Sequence, residues 1–201
     1  MQQQIAKNPN EIKPIIIGLL GGPGSGKGTQ CRLICQSFKI EHFSIGDVLR
    51  KELHRRESPY ATIIRQHMLA GTVGPKELTI ALLHSCIKES IQNGAVAFVL
   101  DGFPRNIDQL RLFESIVGPL KLVILIQCSE GIMLRRLLPR GRFDDQEESI
   151  RGRLRTFNSD TSQVIELFRE RNELKTVNGE QDIESTCEEI QAILANIVER
   201  R

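Results

Sequence analysis

Hydrophobic positions along the chain fall into two alternating kinds of stretch. Ile15-Ile16-Ile17-Gly18-Leu19-Leu20 is a continuous apolar run that ends in glycines, the mark of a strand buried on both faces. Residues 96–100 and 122–126 have the same character. Two weaker strand candidates are Glu41–Ser44 and 175–177, the second stopping at the turn signal Asn178-Gly179. Helical spacing of apolar residues fills the intervals at 27–38, 46–56, 60–69, 76–92, 107–116, 130–138, 146–157, 161–171 and 183–198. Buried strands alternating with amphipathic helices predict an α/β, three-layer fold with a central parallel sheet. The wide interval between the first strand and residue 96 reads as a helical insertion, a candidate flap over the carboxyl edge of the sheet. Residues 139–145 show no periodicity and form a second candidate flap.

Composition narrows the function classes. A chain of 201 residues reads as one domain, here 13–201 after a polar tail at 1–12, and is long enough to bury about 70% of its unfolded surface. Its 27 basic and 25 acidic residues leave a net charge of +2, so no whole-chain field demands a polyanionic partner. Eight Phe, one Tyr and no Trp argue against nucleic-acid binding through stacked bases. No apolar run reaches the ~20 residues of a membrane span, and the polar start lacks the apolar centre of a secretory signal. The odd number of cysteines, five, suits a reducing compartment. The spacing of Cys31 and Cys35 reads as a packed helix face rather than a metal site. A cytoplasmic monomer without membrane or nucleic-acid partners is expected.

Gly21-Gly22-Pro23-Gly24-Ser25-Gly26-Lys27-Gly28-Thr29 follows the first buried strand and opens a helix. Glycines without Cβ atoms let successive backbone N–H groups close around phosphate oxygens, and the helix start adds unsatisfied donors. Lys27 supplies a mobile charge for the outer phosphates, and Thr29 can order Mg²⁺ or its waters. A lysine at this place argues for a P-loop and against a dinucleotide fold.

Asp101-Gly102-Phe103-Pro104-Arg105 follows the run at 96–100. Ligands of parallel sheets gather beyond the carboxyl ends of strands, so this tip should face the same crevice as the glycine loop. Asp101 is placed near Mg²⁺ or Lys27, and Arg105 offers a bidentate fork to phosphate. Asp47 suits a helix start, and Arg50, one turn on, is a candidate for a second phosphate. Seven arginines lie between 135 and 155, with no lysine between Lys121 and Lys175. A solvated helix face explains Arg135, Arg151 and Arg155. The others supply planar, bidentate charge of the kind phosphoryl transfer needs on both sides of the moving group.

The blocks Gly21–Gln30 in the glycine loop, Ser44-Ile45-Gly46-Asp47-Val48-Leu49-Arg50, Asp101-Gly102-Phe103-Pro104-Arg105 and Gly141-Arg142-Phe143-Asp144-Asp145 occur in this order. In this the chain resembles the short-lid nucleoside monophosphate kinases of the adenylate kinase family, over essentially everything after Ile12. The resemblance implies a P-loop α/β fold with a helical monophosphate-binding insertion at about 43–75 and a short lid at about 138–146. It implies reversible transfer of the ATP γ-phosphoryl to a nucleoside monophosphate, with Mg²⁺ entering as MgATP and no metal held directly by the protein. Carried over, Gly22, Gly24, Ser25, Gly26, Lys27, Gly28 and Thr29 would hold the ATP phosphates. Arg136 and Gln181 would lie at the ATP base. Ile45, Arg50, Thr72, Val73, Gly74, Gly102, Phe103, Arg105 and Gln109 would take the monophosphate. Lys27, Arg105, Arg140, Arg142 and Arg153 would close on the transferring group, supported by Asp144 and Asp145.

The resemblance implies AMP as acceptor through Gln109, which stands four residues after Arg105 as in the family's adenylate members and whose amide can pair with an adenine edge. Asn106 directly after Arg105 is the pyrimidine-type feature and keeps UMP or CMP as the alternative. Arg140-Gly141-Arg142-Phe143-Asp144-Asp145 is several residues shorter than the usual family lid, so either side of the gap could claim Arg140. The rivals are a nucleotide-responsive module without transfer and a nucleic-acid-binding protein using the arginine cluster.

Overall fold

A computed structural model describes residues 13–137, 139 and 141–201; the expected tail 1–12 and Arg140 lie outside the described residues. Among the described residues five strands, β1 (Ile15–Leu20), β2 (Glu41–Ser44), β3 (Ala97–Asp101), β4 (Leu122–Gln127) and β5 (Leu174–Asn178), form one sheet in the order β2-β3-β1-β4-β5. Every pairing in it is parallel. Parallel neighbours need crossover connections, supplied by helices α1 (Lys27–Ser37), α2 (Ile45–Leu53), α3 (Ala61–Ala70), α4 (Lys76–Gln92), α5 (Ile107–Ile116), α6 (Glu130–Leu137), α7 (Glu147–Thr156), α8 (Ser162–Glu170) and α9 (Ile183–Leu194).

Period-two alternation divides the core into two layers. Ile16, Leu20, Phe98, Leu100, Val123 and Leu125 face one way, onto α4, α5 and α8 through Leu83, Ile87, Phe113 and Phe168. Ile17, Leu19, Val99, Ile124 and Ile126 face the other way, onto α1 and α9 through Ile34, Phe38, Ile190 and Leu194. Burial on both faces explains why β1, β3 and β4 read as continuous apolar runs. The strands β2 and β5 lie at the edges and are only partly covered, which is why their sequence signal is weaker.

Local chemistry sets several element boundaries. The Ser44 side chain accepts a hydrogen bond from the Asp47 N–H at the start of α2, Asn106 does so for Gln109 at α5, and Asp182 for Ser185 at α9; such caps satisfy donors that the helix leaves open. The break expected between 157 and 161 does not exist. A π-helical turn, Phe157–Thr161, joins α7 to α8, because the polar Asn158-Ser159-Asp160 insertion is absorbed as a wider turn and the helix continues. The last helix ends at Leu194 rather than at 198, although Val198 stays in the core.

The helix α7 is drawn against the end of α3. Ser149 Oγ donates to the Leu69 carbonyl at 2.5 Å and Thr156 Oγ1 to the Gly71 carbonyl at 2.8 Å. A Cβ on Gly152 would collide with the Ala70 carbonyl, so this approach depends on glycine. Gly152→Val should therefore destabilise the protein by about 1–3 kcal/mol through overpacking. Thermal unfolding should show a clear drop in Tm; an unchanged Tm would contradict this packing.

Candidate active site

All five strands run parallel, so their carboxyl ends share one edge, and a cleft of about 1030 Å³ opens there. The glycine loop forms one wall. Gly26 stands at φ +99 immediately before α1, a left-handed conformation that glycine adopts without a Cβ penalty. Its carbonyl accepts from the Thr29 and Gln30 N–H groups at 3.0 and 3.1 Å. Lys27 Nζ donates to the Gly21 and Gly22 carbonyls at 2.7 and 2.9 Å, which holds the ammonium at the mouth of the loop. Ser25, Gly28 and Thr29 line the cleft, as does Gly24, whose own close neighbour is the Met133 carbonyl. Gly22 turns toward Met133 and contributes its carbonyl.

β3 lies beside β1 with Asp101 paired to Leu19, so the tip Asp101–Arg105 reaches the cleft next to the glycine loop. Arg105 Nε donates to the Gly102 carbonyl at 3.2 Å, and its backbone N–H donates to Gln109 Oε1 at 3.1 Å. From a distant part of the sequence, Thr161 Oγ1 in the π turn donates to the Arg105 carbonyl at 2.9 Å. Burial pushes the Arg105 guanidinium below its ordinary range; Asp101 and Asp144 oppose this, while the charges of Arg153 and Arg50 add to it. Three guanidinium groups therefore converge on a site that disfavours another cation and favours an anion.

Carboxylates hold this cluster together. Asp144 stands between Arg50 (Nη1, 3.8 Å) and Arg153 (Nη1, 3.5 Å), and Arg153 Nη2 donates to Asp145 Oδ1 at 2.8 Å. Arg50 also donates to Asp47 Oδ1, at 2.5 Å from Nη2 and 3.1 Å from Nε. Burial alone would raise the Asp47 carboxyl, but the Arg50 hydrogen bond and charge, then Ser44 and Arg142, hold it below the usual carboxylate range. Asp47 thus does more than suit a helix start. Arg142 lines the cleft and its N–H donates to Asp145 Oδ2 at 3.1 Å, while the Arg65 guanidinium stands over the Phe143 ring at 5.8 Å.

The remaining expected residues divide clearly. Ile45, Thr72, Val73, Gly74, Gly102 and Gln109 line the cleft together with Arg50, and Arg136 and Gln181 line it too. Arg136 Nη1 donates to the Gly179 carbonyl at 2.8 Å. Thr72 Oγ1 meets His67 Nδ1 at 2.8 Å. Phe103 is not brought to the cleft: its ring is fully buried and tilted against Phe113 at 4.9 Å between centroids. An aromatic ring gains more from the core beneath β3 than from a polar cleft. The surface-face reading suits Arg151, which pairs with Glu147 four residues before it. Cleft residues that sequence reasoning missed include Met68, Leu78, Thr79 and Thr161; Thr161 acts on Arg105 across 56 positions, a distance at which no local pattern signals it.

Asp144 is buried, and its Oδ1 makes no hydrogen bond, so the paired guanidinium groups compensate its charge. Asp144→Ala should leave Arg50 and Arg153 without that carboxylate and cost about 3 kcal/mol, the size expected for breaking a buried pair. Urea denaturation reads this directly, and a variant as stable as the parent would contradict the bridging role.

Comparison with known proteins agrees with this geometry. The family model described as "Adenylate kinase" matches residues 19–173. The chain is 40% identical over 179 residues to "Uridylate kinase" of Schizosaccharomyces pombe, covering 87% of this chain and 94% of that protein. It is 37% identical over 192 residues to "Uridylate kinase" of Saccharomyces cerevisiae, covering 94% and 93%. It is 39% identical over 199 residues to "UMP-CMP kinase 3" of Arabidopsis thaliana, covering 97% and 96%. With a glycine loop and an arginine cluster facing each other across the carboxyl edge of a parallel sheet, and with matches covering most of its length, the chain belongs to the adenylate kinase family of nucleoside monophosphate kinases.

Proposed function

We propose that the protein transfers the γ-phosphoryl group of MgATP reversibly to UMP or CMP. The observation that carries this reading is the opposition of Lys27 and the glycine loop to Arg50, Arg105 and Arg153 across one cleft. The pyrimidine assignment draws on the relatives named uridylate kinase and UMP-CMP kinase, which weigh against the AMP expected from Gln109. Gln109 is buried, and its amide oxygen already accepts from the Arg105 N–H. That bond ties Gln109 to the phosphate-gripping loop as well as to any base.

In this reading ATP lies along the glycine loop with its base between Arg136 and Gln181. The monophosphate lies between α2, α3 and the β3 tip, with its phosphate on Arg50 and Arg105. The helices at 43–75 form the monophosphate-binding insertion, and 138–146 form the lid. A phosphate oxygen of the monophosphate attacks the γ-phosphorus; one P–O bond forms, the bond to the β-phosphate bridging oxygen breaks, and ADP leaves with that electron pair. Lys27, Arg105, Arg142 and Arg153 stabilise the spreading negative charge and hold both anions in line, while closure of the lid excludes water. Mg²⁺ arrives with ATP. The residues fit it: Asp101 Oδ2 stands 3.6 Å from the place of a Cβ on Gly28, against the first turn of α1, and with the Thr29 hydroxyl offers the oxygen atoms that this hard cation and its waters prefer.

A coupled assay with MgATP against UMP, CMP, AMP and GMP tests the reading. UMP or CMP should be phosphorylated at least tenfold faster than AMP, and Lys27→Met should lower turnover by about 10²–10³, the scale for loss of one positioned donor. A higher rate with AMP would overturn the base assignment, and undiminished turnover in Lys27→Met would overturn the catalytic one.

A further inference from the structure

Behind the glycine loop, three side chains with metal-binding atoms meet, and the kinase reading uses only one of them. Cys31 comes from α1, His42 from β2 and Asp101 from the end of β3, and their Sγ, ring nitrogen and carboxylate oxygen all lie within 4.8 Å of one another. Strand register brings them together. His42 pairs with Val99, and Val99 shares with Asp101, two positions on, the sheet face that packs on α1. Cys31 is fully buried. His42 Nε2 is also buried, stands 3.7 Å from Asp101 Oδ2 and has no hydrogen-bond partner. A buried ring nitrogen left unsatisfied is costly and calls for a ligand.

We propose that Cys31, His42 and Asp101 form a site for a borderline divalent transition-metal ion, Zn²⁺ foremost, and that its occupation silences phosphoryl transfer. Thiolate, imidazole and carboxylate together are the donor set of Zn²⁺ and Co²⁺, whereas Mg²⁺ requires oxygen. Three protein ligands with a fourth position open to water or a phosphate oxygen suit a tetrahedral ion. Bond lengths of ~2.0–2.3 Å place such ligands ~3.5 Å apart, so the cluster contracts by about 1 Å when it binds. As the Sγ–metal bond forms, the Cys31 thiol gives its proton to solvent.

The site stands on its own geometry, but its effect on turnover rests on the proposed function. A metal ion held here occupies the same Asp101 carboxylate that would serve MgATP beside the first turn of α1. Micromolar Zn²⁺ therefore inhibits in the presence of millimolar Mg²⁺, and a chelator reverses the inhibition. The spacing Cys31 to Cys35 concealed this arrangement, because the partners of Cys31 come from two other elements and not from its own helix.

Cobalt titration of the purified protein separates binding from its consequence. Co²⁺ should give thiolate charge-transfer and tetrahedral d–d absorption bands that stoichiometric Zn²⁺ abolishes. Cys31→Ser and His42→Asn should each weaken this binding at least ~10-fold, with circular dichroism checking that each variant is folded. Both variants, assayed with millimolar Mg²⁺ and a chelator selective for Zn²⁺ over Mg²⁺, should keep the parental turnover, and Cys31→Ser should require at least ~10-fold more Zn²⁺ for inhibition. Absence of the thiolate bands, or bands unchanged in both variants, would overturn the metal site. Bands without inhibition in a protein that is active with MgATP would overturn the silencing. A protein inactive with every nucleotide pair would instead contradict the kinase reading, and the cobalt spectrum would still decide the metal site.

Discussion

Like charges resist being crowded, and the cleft crowds them. Arg50, Arg105 and Arg153 gather at the carboxyl edge of the sheet closely enough that the two neighbours disfavour the charge on Arg105. The fold has to hold them there against this repulsion. Asp144, buried between Arg50 and Arg153, supplies the counter-charge, and backbone carbonyls at Gly102, Ser149 and Asp144 fix the guanidinium planes. Such a cluster remains poised for an added anion, because the three carboxylates Asp47, Asp144 and Asp145 do not use up all of its donors.

Much of the scaffold serves that positioning. The parallel sheet places the glycine loop and the β3 tip side by side, since β1 and β3 are neighbours in register. The close approach of α7 to α3 at Gly152 fixes the backbone beside Arg153, whose guanidinium shares Asp144 with Arg50 of α2. The π turn reaches back through Thr161 to grip the chain at Arg105. Each of these contacts joins elements far apart in sequence, so the charge cluster is a property of the tertiary structure and not of any single motif.

This explains what was legible from sequence. The strands β1, β3 and β4 and the helices α4 and α5 were, because double burial and helical spacing are local patterns. The glycine loop and the tip Asp101–Arg105 were too, since glycine followed by lysine after a buried strand has a local physical meaning. The resemblance counts Phe103 among the monophosphate residues, yet its ring is buried in the core against Phe113. The helical continuation through 157–161 was hidden because polar residues imitate a break. The meeting of Cys31, His42 and Asp101 depends on strand register, which the apolar pattern alone does not specify. Base preference was the hardest feature to read: Gln109 and Asn106 point to different bases, and both also have structural duties at the start of α5.

In the proposed function two anions lie end to end between opposed cations. A single molecule joining adenosine and uridine through five phosphates spans both positions, and calorimetric titration measures its binding. Its affinity should exceed that of ATP or UMP alone by at least ~10²-fold, as expected when two linked groups bind together. Lys27→Met and Arg105→Met should each weaken the binding more than tenfold. Affinity no greater than that of ATP alone, unchanged by Arg105→Met, would contradict this arrangement.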